Sequence, residues 1–167
     1  MLVAAFLISG CGQWAAYEAR DAARGAAARG DGAGLAQLIE ENPSLRGGES
    51  AALLLGTAGC SPEMVELMVD RLDVDPLATD KWGTGVVNIM LEPSGEPLPE
   101  DFDARGYRSP CDEPDAKLRS LTVVLEAGAS PCLVPDGDST RRPLVAAERW
   151  KWEPAVFEML SQHADDC

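Results

Sequence analysis

Five cysteines, one histidine and a cluster of carboxylates are the side chains in this sequence best suited to catalysis, metal binding or crosslinking. His163 stands alone: a zinc site or a nucleophile–base pair needs a partner at a set spacing, and none is present. There is no Cys-x-x-Cys, no phosphate-cradling glycine loop and no Gly-x-Ser-x-Gly. Gly30-Asp-Gly-Ala-Gly34 has the composition of a phosphate loop, but no strand precedes it, so it reads as a turn between two helices. Asp101, Asp103, Asp112, Glu113 and Asp115 offer oxygen ligands of the kind Ca²⁺ takes, without the fixed alternation of an EF-hand loop. The same carboxylates would serve as an acid/base pair only in a partly buried setting, which nothing around them suggests. The expectation is a chain with no catalytic residue, no metal and no cofactor, in short not an enzyme.

The elements that carry these residues repeat along the chain. Val65, Met68 and Val69 fall in register with Leu121, Val124 and Leu125, and with Val156, Met159 and Leu160. A weaker copy supplies Leu35, Leu38 and Ile39. Steps of three and four residues put each set on one helical face. Each helix runs into a turn, at Asn42-Pro43, Leu72-Asp73, Gly128-Ala129 and His163-Ala164; Gly128 suits a left-handed cap best. A small-residue helix precedes each, as Ala22–Ala27, Ala51–Gly56 and Arg142–Ala147, with Pro143 where a first-turn proline is tolerated. Units that cannot bury their own apolar faces must stack.

Asp80-Lys-Trp-Gly83, Arg142-Pro-Leu-Val-Ala-Ala147 and Gly128-Ala-Ser130 resemble the hairpin, first helix and terminal turn of the ankyrin repeat. The resemblance implies an all-α, ankyrin-type solenoid of about four helix-turn-helix repeats with short hairpin loops, at 15–46, 47–76, 77–132 and 133–167. Thr-Pro-Leu-His never occurs whole, and the rival is an unrelated helical bundle. The third repeat is interrupted over 92–115 by a stretch rich in proline and acid, expected to be a loop. It is either functional or a tolerated insertion, since lengthening a surface loop costs little closure entropy.

Ile8-Ser-Gly-Cys11, after the apolar, uncharged Leu2–Gly10, resembles a bacterial lipobox. That resemblance implies a signal peptide at 1–10, cleavage before Cys11, lipidation of its thiol and a short tether at 11–14. Gly12 in place of Asp leans toward the outer membrane. The implied location is the periplasm, lipid-anchored. The alternative is an N-terminal cap helix on the first repeat and a cytoplasmic protein. Trp14 and Tyr17 would lie at lipid headgroups in the first case and cap the stack in the second.

Four cysteines remain, and an exported domain would join them as two disulfides in one of three connectivities. Cys60 lies between the helices of the second repeat, and Cys111 lies just before the matching helix of the third. Cys132 and Cys167 share a phase in adjacent repeats. Phase therefore favours Cys60–Cys111 and Cys132–Cys167, the latter requiring the C-terminal tail to fold back because bridged Cα atoms lie within about 7 Å.

The net charge of −14 argues against nucleic acid and against adsorption to anionic lipid. It suits a basic protein partner or simple solubility. On the ankyrin resemblance, partners meet the hairpin tips: Lys81 and Trp82 in one, Asp138, Arg141 and Arg142 in the next. Trp150 and Trp152 form a second aromatic candidate or a cap of the last repeat, and the insertion a third candidate. The expected function is a monomeric, non-enzymatic protein–protein interaction module of the bacterial envelope, with membrane contact only through Cys11. An immunity or accessory protein for a secreted effector is its concrete form. The alternatives are a structural or stress-protective periplasmic component and a cytosolic ankyrin-like adaptor.

Overall fold

A computed structural model describes residues 8–91, 111, 113, 115–133 and 142–164, with side chains from Trp14 onward. Residues 1–7, most of the insertion (Asp101, Asp103 and Asp112 included), Asp138, Arg141 and Cys167 lie outside the described residues, as does the side chain of Cys11.

The fold is all-helical, with eight α-helices and no β-strand among the described residues. They are α1 (Ile8–Ala28), α2 (Gly32–Glu41), α3 (Gly48–Thr57), α4 (Pro62–Glu66), α5 (Val86–Leu91), α6 (Ala116–Glu126), α7 (Pro143–Arg149) and α8 (Pro154–His163). Prolines at the first helical positions of α4, α7 and α8 fit sites where no amide donor is needed. A 3₁₀ turn, Pro43–Arg46, follows α2, and α4 widens into a π turn over Leu67–Arg71. No helix among the described residues is long and apolar enough to cross a membrane.

The chain is already helical at Ile8, the first described residue and ahead of the first repeat expected from residue 15, so the backbone from Ile8 to Gly12 is continuous with the rest of α1. The glycine-rich stretch is likewise only partly a turn. Gly30 takes a left-handed φ of 69°, Asp31 caps α2 by accepting from the Gly34 amide at 2.9 Å, and Gly32–Gly34 is already the first turn of that helix.

Helix α1 packs on α2 and α3, α3 on α5, and α5 on α7; α4 packs on α6, and α6 on α8; α5 also meets α6, and α7 meets α8. Two rows of helices thus share one core. Into it go Leu35 and Ile39 from α2, Val65 and Met68 from the α4 region, Leu121, Val124 and Leu125 from α6, and Val156, Met159 and Leu160 from α8. Alanines 23, 26, 27, 51, 52, 146 and 147 line the close approaches of the other row. At Gly56 the approach is so tight that a Cβ would sit 2.2 Å from Ile89 Cγ2.

The turns separate by backbone geometry. Gly128 has φ 97° and closes α6, its amide donating to Leu125 O at 2.9 Å. Asp73 does the same work without being glycine, at φ 53°. Asn42, at φ −132°, and Ala164, at φ −94°, end their helices without the left-handed step.

Candidate functional site

The tip between the α4 region and α5 is built from one carboxylate. Asp80 Oδ1 accepts from the amides of Trp82 (2.9 Å) and Thr84 (2.8 Å), while the Asp80 amide donates to Thr84 O at 2.9 Å and the Gly83 amide to Asp80 O at 3.1 Å. Gly83 takes φ 77°, and Thr79 and Gly85 close the tip with an antiparallel bridge. An aspartate bonding its own backbone two and four residues on fixes a turn that would otherwise fray. It projects Trp82, which is 50% exposed, with Lys81 Nζ 4.2 Å from the centre of its ring. The pair is a cation–π contact in water, worth about 0.5–1 kcal/mol. Leu77, just before this tip, is another exposed large apolar side chain, and its amide donates to Asp75 Oδ1 at 2.9 Å.

The next predicted tip is only partly described: Arg142 is exposed at the start of α7, and Asp138 and Arg141 lie outside the described residues.

Trp150 is a correction. Trp150 is 2% exposed and belongs to the core, so it offers no surface to a partner. Lys151, at φ 51°, turns the backbone between the two rings. Trp152 is half-buried, and its indole donates to Leu91 O at 3.0 Å. Trp150 is thus a packing residue rather than an anchor, while Trp152 keeps part of its ring in solvent.

Trp152 leads to the base of the insertion. Helix α5 is described as far as Leu91, where the insertion begins in sequence. Lys117, on α6, reaches this helix: its ammonium donates to Met90 O at 2.9 Å and lies 5.4 Å from the centre of the Trp152 ring. The Lys117 side chain is 8% exposed, and burial lowers its pKa to about 8. Gly59 passes beneath it, and a Cβ there would stand 2.7 Å from Nζ.

The far end of the insertion is held covalently. Cys60 and Cys111 form a disulfide, with Cα atoms 5.2 Å apart. Cys132 is disulfide-bonded too, and its expected partner Cys167 lies outside the described residues. Beyond Cys111, Arg119 gathers three carboxylates: Glu113, Asp115 at 3.5 Å and, from α4, Glu63 at 3.3 Å. All are substantially exposed, so the cluster guides the chain more than it stabilises the fold. Sequence reasoning missed Lys117. Its signal was position: residues 117, 121 and 124 are spaced four and three apart, so the lysine sits on the buried stripe of α6.

His163 ends α8, its ring Nδ1 2.9 Å from Met159 O. Among the described residues no three His, Cys, Asp or Glu side chains stand together as metal ligands would. No protein-family model, curated protein or solved structure matches the chain.

Proposed function

We propose that this chain is a non-enzymatic protein–protein interaction module, an ankyrin-like stack of about four helix pairs held at the bacterial envelope through Cys11. The observation that carries the reading is the Asp80–Gly85 tip, where a fixed turn presents a half-exposed tryptophan with a lysine on its ring. Rigid Trp anchors dominate interface energetics because they bury a large area and lose little side-chain freedom. The order of packing supports the stack: α1, α3, α5 and α7 follow one another in one row, and α4, α6 and α8 in the other. The insertion, acidic in sequence and pinned at both ends, is the second contact. With a net charge of −14, the partner's complementary surface is basic. An immunity or accessory protein for a secreted effector is the concrete form of this reading.

The test is capture of partners from envelope and secreted fractions with the intact chain and with Trp82→Ala. The variant should bind the captured partner at least about tenfold more weakly, a loss of about 1.4 kcal/mol. Its unfolding free energy should stay within about 0.5 kcal/mol of the parent, as for other surface changes. Equal binding by the variant would sink the reading; a large loss of stability would reassign Trp82 to the core.

A further inference from the structure

The N-terminal half of α1 stands apart from the stack. Every described residue from Trp14 to Glu18 is exposed, and the first buried side chain of the helix is Ala23. Trp14 is 67% and Tyr17 51% exposed, with ring centres 6.4 Å apart. Two large aromatic side chains three residues apart on one helix, covered by nothing among the described residues, form an exposed apolar face.

Each ring has a charged neighbour on the same helix. Trp14 Nε1 donates to Glu18 Oε1 at 2.9 Å, and the Arg20 guanidinium lies 5.1 Å from the centre of the Tyr17 ring. Arg20 is bound at 3.1 Å to Glu49 of α3, which ties this part of α1 to the stack. The sequence changes at the same place. Positions 1–17 contain no Asp, Glu, Lys or Arg, and the whole net charge of −14 is carried from Glu18 onward. One helix therefore passes from an uncharged segment, through an aromatic pair, into a charged domain.

We infer that Trp14 and Tyr17 form an interfacial belt that docks this end of α1 on a zwitterionic lipid surface. Amphipathic rings settle at the headgroup level, apolar body inward and polar edge toward water. Glu18 and Arg20 hold the water side of that boundary. Charge selects lipid over a second copy of the chain, because pairing two copies here brings two domains of −14 together. It also selects neutral over anionic headgroups. This goes beyond the function proposed above and does not need acylation of Cys11.

The experiment uses the full chain carrying Cys11→Ser, so that no lipid can be attached, floated with phosphatidylcholine vesicles. The chain should float, and addition of phosphatidylglycerol to the vesicles should weaken it. Trp14→Ser with Tyr17→Ser should reduce partitioning at least about tenfold, since each ring removes about 150–250 Å² from water when fully covered. The unfolding midpoint should not move. Failure to float, or equal flotation of the double variant, overturns the inference. Lipid-free dimerisation that the double variant abolishes, without flotation, assigns the face to a second copy instead. Absence of acylation in cells would overturn the Cys11 anchor alone and leave the aromatic belt intact.

Discussion

Lys117 should make stability rise with pH over a window where most proteins lose it. Its ammonium is buried against Met90 O and Trp152, and desolvation lowers its pKa from 10.5 to about 8. Below pH 8 the folded and unfolded chains both hold the proton, and the fold bears the full burden of a buried charge. Between pH 8 and 10.5 the folded chain has released it and the unfolded chain has not. The unfolded state then binds more protons, so stability increases with pH and levels off above 10.5. The gap from 10.5 to about 8 corresponds to about 3 kcal/mol, at about 1.4 kcal/mol per pH unit. The Met90 carbonyl and the ring face both favour the ammonium, which makes this an upper bound. Lys117→Met keeps the apolar stem and removes the titration. At pH 7 it escapes the desolvation but leaves Met90 O without its donor, a penalty of about 1–3 kcal/mol, so it should lie within about 2 kcal/mol of the parent. Urea unfolding of both proteins from pH 7 to 10, in a Cys11→Ser background, isolates the effect, because all other titrations cancel in the difference. The parent should gain on the variant by about 2 kcal/mol across that range. Parallel curves would show that the ammonium reaches water, and the reasoning would fail.

Two further perturbations test the scaffold. The Cys60–Cys111 bridge closes a sequence separation of 51 residues, for which loop entropy gives about 4 kcal/mol. Replacing both cysteines by serine should lower unfolding stability by about 2–4 kcal/mol, and an unchanged urea midpoint would mean that the insertion's far end needs no staple. Gly56→Ala gains about 1 kcal/mol of helix propensity but drives a methyl into Ile89, a stiff β-branched neighbour, where overpacking costs about 1–3 kcal/mol. A net loss is expected that Ile89→Ala relieves in a double-mutant cycle, and additive effects would show that α3 and α5 can separate freely.

Much of the fold is legible in residue spacing. The apolar positions of α2, α4, α6 and α8 follow steps of three and four, and most of them are fully buried. The Asp80 turn and the Cys60–Cys111 pair were also readable, because a turn needs a short-range acceptor and a bridge needs two elements at one phase. Other features carried no sequence signal. Asp73 and Lys151 adopt left-handed backbone that glycine would have announced. Lys151 stands between Trp150, which is buried, and Trp152, which is half-buried, so the two rings, alike in sequence, differ in exposure. The helical backbone over Ile8–Gly12 lies where the lipobox resemblance implies a cleavage site and a short tether, while an apolar run without proline is compatible with a helix.

The buried lysine joins elements that lie far apart in the chain. Met90 and Leu91 of α5 are buried, and their carbonyls accept from later elements: Met90 O from the Lys117 ammonium of α6, and Leu91 O from the Trp152 indole of the α7–α8 turn. A buried acceptor left unmet is expensive. An apolar residue at 117 would pack better in the stripe of α6 but would remove the donor to Met90 O. The disulfide to Cys60 returns the chain to the same corner, since Gly59 lies directly under the lysine. The disulfide and the buried lysine therefore meet at one corner of the fold, where α5 packs on α6 and the turn after α3 carries Gly59 and Cys60.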